Sequence, residues 1–172
     1  MPIYALGASE PSIHPTAYIH PDAVIIGNVV IGAESSVWPS AVLRADDSAI
    51  RIGSGSSIQD GTVLHVTAGL DTVVGDDCVI GHLVHLEGCT IESGVLVGNG
   101  SVVLHRAIVR SCALVGSNAV VTNDMEVPSG AMALGVPARI RPDCVTPGMI
   151  SDGVEKYRKR IRVYAEGLRR LD

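Results

Sequence analysis

Aromatic residues are scarce in this chain of 172 residues, which has one Trp, four Tyr and no Phe. Its 47% hydrophobic content is therefore mostly Val, Ile, Leu and Ala, and Gly is abundant at 19 residues. This composition favours many short strands joined by tight corners. A helical bundle or a Rossmann sheet would need longer periodic helices. The length predicts one domain with a continuous core, plus an appendage.

Basic residues are scarce before residue 139, where only Arg44, Arg51, Arg106 and Arg110 occur. The rest of the 13 Lys and Arg residues lie at or beyond Arg139, so the larger part of the chain is acidic. An acidic surface repels phosphate backbones, and we therefore expect no nucleic-acid binding. The basic C-terminal segment is interpreted as a solvated helix face.

Export and membrane signals are also missing. Residues 1–11 contain neither a basic nor an apolar leader segment, and no apolar run has the length of a membrane span. We therefore predict a cytoplasmic protein without membrane contact. Cys78, Cys89, Cys112 and Cys144 form no CxxC pair and fit a reducing compartment as free thiols, although their even number leaves disulfides open.

A six-residue repeat runs through most of the chain. The recurring aliphatic residues are Ile13, Ile19, Ile25, Ile31, Val37, Leu43, Ile52, Ile58, Leu64, Val74, Ile80, Leu86, Ile91, Val97, Val103, Val109, Val115, Val121 and Val127. A small or β-branched residue follows most of them four positions later. Because six is a multiple of the strand period of two and not of 3.6, the repeat indicates a strand and a turn rather than an amphipathic helix.

Three such hexads per coil predict a parallel β-helix shaped as a triangular prism, with rungs about 4.8 Å apart. The repeat is interrupted after Leu43 and after Leu64, so residues 45–51 and 66–73 are predicted to be projecting loops, where functional residues often lie. An ordinary β-sandwich with regular strands is the alternative.

Residues 135–137 end the coils, so we assign residues 1–138 to the β-helix and residues 139–172 to a linker and one C-terminal helix. Apolar residues at spacings of four and three indicate that helix, namely Ile150, Val154, Tyr157, Ile161, Tyr164, Leu168 and Leu171. We expect this stripe to pack along the prism wall; a partner helix or a membrane surface is the alternative.

Two segments carry a resemblance to a known family. Residues 36–65 read SVWPSAVLRADDSAIRIGSGSSIQDGTVLH and residues 80–90 read IGHLVHLEGCT. Together with the GVPA ending at residues 135–138, they resemble the γ-class carbonic anhydrases over nearly the whole chain. The resemblance implies a left-handed β-helix and a homotrimer with a metal ion at each subunit interface, where metal-bound hydroxide converts CO2 to bicarbonate reversibly.

The family binds zinc through three His residues, and the matching positions here are His65, His82 and Glu87. Two His and one carboxylate are a ligand set of zinc hydrolases and of non-haem iron sites, so Zn2+ is expected, with Fe2+ or another divalent metal as the alternative. His85 lies on the same side of the strand as Glu87 and could replace it as a ligand or transfer protons.

The six-residue repeat predicts how His65, His82 and Glu87 lie relative to one another. His65 and Glu87 follow the inward Leu64 and Leu86 in consecutive coils, so they should stack one rung apart and could share a metal. His82 lies five residues before Glu87, roughly 16 Å away at about 3.3 Å per residue, far beyond a ligand distance near 2 Å. It should therefore serve a neighbouring subunit, unless these polar side chains only line an outer wall.

Four further residues match family positions. Gln59 matches the glutamine that orients bound water or substrate, and Arg44, Asp46 and Asp60 match a charged cluster at the subunit interface. That cluster could act in catalysis or form an ion pair that fixes the trimer register. Trp38 is interpreted as a packing residue.

The leading hypothesis is a carbonic anhydrase-like lyase acting on CO2 and bicarbonate. Activity is expected to be weak, because a carboxylate in place of an imidazole lowers the net charge of a zinc site from +2 to +1. One alternative is a CoA-dependent acyltransferase or thioesterase, which would need basic residues for the CoA phosphates. Another is a catalytically silent trimeric scaffold.

Overall fold

The computed structural model describes residues 2–146 and 148–172. It contains twenty short strands followed by one helix. In chain order they are β1 (Ile3–Tyr4), β2 (Ser12–Ile13), β3 (Tyr18–Ile19), β4 (Val24–Ile31), β5 (Ser36–Val37), β6 (Val42–Ile52), β7 (Ser57–Ile58), β8 (Val63–His65), β9 (Thr72–Val74), β10 (Val79–Ile80), β11 (His85–Glu87), β12 (Thr90–Ile91), β13 (Leu96–Val97), β14 (Val102–Val103), β15 (Ile108–Val109), β16 (Leu114–Val115), β17 (Val120–Val121), β18 (Glu126–Val127), β19 (Met132–Leu134), β20 (Arg139–Arg141) and α1 (Gly148–Gly167).

The strands form two sheets wrapped around one core. One prism wall is an eight-stranded sheet in which only β20 is antiparallel, so seven parallel strands mark about seven coils. The other two walls merge into a twelve-stranded sheet, because β4 and β6 are long enough to cross a corner. The first part of β6 pairs with β8 and its last part with β9. The predicted parallel β-helix with a C-terminal helix is confirmed.

The aliphatic residues of the repeat fill the prism. Leu43, Leu64 and Leu86 are aligned in register on three consecutive coils and are fully buried. Burial of each such side chain stabilises the fold by about 1.5–3 kcal/mol. Because side chains alternate along a strand, this inward stack forces the next residue of each strand to point outward.

The cysteines and the single Trp have the predicted roles. All four cysteines are free, and burial raises the thiol pKa of Cys78 to about 11 and that of Cys89 to about 12. Trp38 is buried, and its indole N–H donates to the hydroxyl oxygens of Ser36 at 2.9 Å and Ser57 at 3.0 Å.

The first predicted loop is wrong. Residues 45–51 belong to β6, and the extra residues are absorbed as a bulge: Gly27 pairs with Ala45, whereas Val29 already pairs with Ile50. The bulge carries Asp46 outward without breaking the strand. Of the second predicted loop, residues 66–71 form a connection between β8 and β9, closed by an isolated bridge between Thr67 and Leu70, whereas residues 72–73 belong to β9.

The helix α1 packs on the eight-stranded wall. Ile150 and Val154 are buried against Val79, and the rings of Tyr157 and Tyr164 contact the Trp38 ring edge to face. The predicted stripe therefore packs along the prism, although Leu168 and Leu171 lie beyond the helix end and are exposed. Within the predicted linker, Arg139–Arg141 forms β20. In the part of the chain that the structure describes, no helix combines the length and the apolar character of a membrane span.

Candidate metal centre

Three neighbouring strands place a row of polar side chains on one outer wall. Arg44 on β6 pairs with His65 on β8, which in turn pairs with Glu87 on β11. Each of them follows one of the aligned inward leucines, so all three project from the prism. The predicted stacking of His65 on Glu87 is therefore observed, and it follows from the register of the repeat.

His65 lies between two carboxylates. Its Nδ1 atom is 3.1 Å from Glu87 Oε1, and its Nε2 atom is 3.0 Å from Asp46 Oδ1. A neutral imidazole carries one N–H and therefore cannot donate to both carboxylates. A second proton or a bound cation on His65 would satisfy the remaining contact.

Asp46 takes part in this arrangement through the bulge of β6. Its carboxylate is paired with the Arg44 guanidinium as well as with His65. Partial burial opposes its ionisation, but hydrogen bonds from a backbone N–H and from His65, together with the Arg44 charge, outweigh burial and lower the pKa of Asp46. Asp46 is thus ionised at neutral pH and favours a cation at His65.

Glu87 is the centre of a histidine cluster. Its oxygens lie 3.1 Å from the Thr67 hydroxyl, 3.2 Å from His85 Nε2 and 3.6 Å from His105 Nε2, in addition to His65. Partial burial raises the pKa of Glu87, but the hydrogen bond from Thr67 and the polar contacts with His65, His85 and His105 outweigh it and lower that pKa to about 2. The carboxylate is therefore ionised across the physiological range.

Sequence reasoning missed His105 and Thr67. His105 Nε2 lies 3.2 Å from the Thr67 hydroxyl, so these two residues contact each other as well as Glu87. Leu86 pairs with Val103 on the next coil, so His105 lies one position beyond the residue level with Glu87. It lies outside the strands, at a corner, and the six-residue repeat therefore gave no signal for its contact with Glu87.

His82 forms a separate pair with Asp60. His82 Nδ1 lies 2.9 Å from Asp60 Oδ2. Ile58 and Ile80 pair in register, so Asp60 and His82, each two residues further on, lie at the same level of consecutive coils. The structure thus brings Asp46 together with Arg44 and His65, and Asp60 together with His82. Gln59, the residue before Asp60, is 3% exposed.

Two side chains of this wall, His65 and Glu87, have the spacing of ligands to one metal ion. Two ligands bound about 2.0–2.1 Å from one tetrahedral zinc ion are about 3.3 Å apart. The separation of 3.1 Å between His65 Nδ1 and Glu87 Oε1 is compatible with that spacing. Among the described residues of one chain, no three His, Cys, Asp or Glu side chains converge on a common metal position. One chain therefore supplies two metal ligands at a suitable spacing, His65 and Glu87.

Comparison with known proteins decides the family. The bacterial transferase hexapeptide (six repeats) family matches residues 10–45 and 71–105. The carnitine operon protein CaiE of Escherichia coli K12 is 37% identical over 139 residues, covering 81% of this chain and 71% of CaiE. The chain belongs to the hexapeptide-repeat family.

Within this family, the relatives include γ-carbonic anhydrases. Gamma carbonic anhydrase 2, mitochondrial, of Arabidopsis thaliana is 36% identical over 136 residues, which cover 76% of this chain and 49% of that protein. A crystal structure described as a putative acetyltransferase of Bacillus cereus has a TM-score of 0.92 and 30% identity, and covers 94% of this chain and 95% of that chain. The hexapeptide-repeat protein is thus similar to proteins named for two different activities.

Proposed function

We propose that this hexapeptide-repeat protein is a metal-dependent carbonic anhydrase of the γ type that hydrates CO2 reversibly at sites shared between the subunits of a homotrimer. The observation that carries the proposal is the position of His65. It faces two carboxylates and lies at a ligand-like separation from Glu87. An arrangement of that kind favours a bound divalent cation.

His65 and Glu87 would hold the ion from one subunit, and His82 would complete the set from its neighbour. Zn2+ fits two imidazoles and a carboxylate, and Fe2+ fits the same set. When bound, such an ion supplies a water molecule whose pKa is lowered enough to yield a nucleophile near neutral pH. His85, whose Nε2 lies 3.2 Å from Glu87 Oε2, is an alternative metal ligand or a proton acceptor beside the site.

The outer wall around these residues supports contact with a second subunit. Val42, Val63, Val102 and Val120 lie in register above and below His85 and point outward. Val63 is 37% exposed, and Leu83, directly after His82, is 70% exposed. Apolar side chains beside candidate ligands fit a wall that becomes covered on assembly.

The remaining residues of the site would position water and substrate. Gln59 is buried beside the Asp60 corner and has an amide able to donate and accept hydrogen bonds. Asp46 orients His65, and Arg44 neutralises Asp46. Glu87 remains a full negative charge at neutral pH, which fits a cation but leaves the site less positive than three imidazoles would.

The proposal is tested by metal content and CO2 hydration measured on the same protein. The full chain is stripped with a chelator, reloaded with Zn2+ or anaerobically with Fe2+, and assayed by elemental analysis and by stopped-flow hydration with a pH indicator. We expect one ion per chain and hydration only after loading. His65→Gln should lose both properties, whereas His14→Gln, a substitution of an exposed histidine, should lose neither. Stoichiometric metal without hydration would contradict the proposal.

An acyltransferase that uses CoA is the second candidate, because the B. cereus structure carries an acetyltransferase description. The four arginines of the prism argue against it. Each is already paired with a carboxylate: Arg44 with Asp46, Arg51 with Asp71, Arg106 with Asp124, and Arg110 with both Glu92 and Glu126. Acetyl-CoA binding by the metal-free protein in calorimetry would favour this candidate, and absence of both metal and CoA binding would favour a scaffold.

A further inference from the structure

The contact between His82 and Asp60 defines which ring nitrogen of His82 carries the hydrogen. An ionised carboxylate only accepts hydrogen bonds, so His82 Nδ1, at 2.9 Å from Asp60 Oδ2, must be the donor. A neutral imidazole has one N–H, and Nε2 is therefore left with its lone pair. We propose that Asp60 is a positioning residue that fixes His82 as the Nδ1–H tautomer and so prepares Nε2 to bind the metal ion. This inference rests on the proposed function.

The backbone holds both residues in place for this contact. The Leu83 N–H donates to the Asp60 carbonyl at 2.9 Å, and the Gly100 N–H donates to the His82 carbonyl at 2.8 Å. The His82 N–H in turn donates to Asn99 Oδ1 at 3.1 Å. The corner bearing His82 is thus bonded to the coils on both sides, and the ring is oriented by Asp60.

Burial does not account for the orientation of the ring. The His82 and Asp60 side chains are 42% and 47% exposed. Water can therefore compete for both ring nitrogens, and the carboxylate is the group that distinguishes them. A carboxylate behind a metal-binding imidazole commonly fixes its tautomer and raises its basicity as a ligand.

Two other histidines serve as internal controls, because their Nδ1 atoms accept a hydrogen bond and do not donate one. The backbone N–H of Asp22 donates to His20 Nδ1 at 3.1 Å, and the backbone N–H of Thr16 donates to His14 Nδ1 at 3.2 Å. Since Nδ1 accepts in both cases, the neutral forms of His14 and His20 carry their hydrogen on Nε2. One chain should therefore show both tautomers in the same spectrum.

The test uses the full chain labelled with 15N only at its six histidines. Nitrogen spectra of the metal-free protein are recorded above pH 8, where free imidazole is neutral, and the His82 signals are assigned by their loss in His82→Gln. We expect Nδ1–H for His82 and Nε2–H for His14 and His20. An Nε2–H form of His82 in the parent protein would overturn the proposal.

Substitutions at Asp60 separate orientation from charge. Asp60→Ala should convert His82 mainly to the Nε2–H form, which free imidazole favours in water, and weaken zinc binding about 10- to 100-fold. Asp60→Asn keeps an oxygen that accepts from Nδ1–H, so it should retain the tautomer and most of the zinc affinity. The matched control Asp22→Ala removes a carboxylate that lies 3.8 Å from His20 Nδ1, beyond hydrogen-bond distance, and should leave His20 in the Nε2–H form, because the donor to His20 Nδ1 is a backbone N–H.

Two results would refute the role of Asp60: an unchanged His82 tautomer in Asp60→Ala, or a loss of zinc affinity in Asp60→Asn as large as in Asp60→Ala. A parent protein that binds no zinc would instead overturn the proposed function. The spectra of the metal-free protein test the tautomer in either case, so the two failures are distinguishable.

Discussion

The ionised Glu87 carboxylate should stabilise the metal-free fold at neutral pH, and Glu87→Gln measures this effect. The substitution keeps the size of the side chain but removes its charge. The folded pKa of Glu87 is about 2, against an ordinary value of 4.5. Each pKa unit corresponds to about 1.36 kcal/mol, so ionised Glu87 contributes at most about 3 kcal/mol.

The pH dependence of this contribution has a defined sign. Because the folded pKa lies below the unfolded one, the stabilisation is fully present above pH 4.5 and is lost as the pH falls through the folded value near 2. The parent protein should therefore be more stable than Glu87→Gln by about 1–3 kcal/mol at pH 7. The difference should shrink to roughly half at pH 3.

Urea unfolding of chelator-treated protein, followed by circular dichroism at several pH values between 7 and 3, provides the measurement. Both proteins must be compared at the same chain concentration, because subunit association would add to apparent stability. Glu126→Gln, a change of an exposed carboxylate that pairs with Arg110, serves as the control for loss of one negative charge. The reasoning would be refuted if the parent protein and Glu87→Gln were equally stable at pH 7, or if their difference in stability stayed the same down to pH 3. Either result would show that the neighbouring side chains do not stabilise the ionised Glu87 carboxylate.

Three further predictions concern assembly and the metal. Light scattering should give the mass of a trimer, and a monomer at micromolar concentration would remove the shared site. Mixed trimers of a His65→Ala chain and a His82→Ala chain should regain part of the bound metal that each variant loses alone, because some interfaces then carry both intact residues; no recovery would contradict a site between subunits. Glu87→His should raise CO2 hydration after zinc loading, since a third imidazole restores a +2 site, and Glu87→His combined with His85→Val controls for a competing ligand. Stoichiometric zinc in both variants without faster hydration would show that the charge at this position is not limiting.

The sequence predicts the architecture because the fold is local and repetitive. A hexad determines which side chains point inward, and stacking of successive coils buries them, so the pairing of Leu43, Leu64 and Leu86 follows from position along the chain. The same periodicity predicts that His65 and Glu87 stack on one wall. No long-range information is needed where neighbours in space are one coil apart.

The contacts that define the candidate site depend on where the repeat is broken. The insert after Leu43 could become a loop or a bulge, and pairing of β4 with β6 on both sides of the insert makes it a bulge that carries Asp46 to His65. His105 reaches Glu87 from a corner, where the alternation of strand side chains no longer applies. Asp60 contacts His82 and not Arg44, because the corners that carry Asp60 and His82 lie at the same level of consecutive coils. The prism and its outward rows follow from the six-residue repeat. The carboxylate that each histidine contacts does not, because the geometry of the corners and the path of the insert depend on packing between coils.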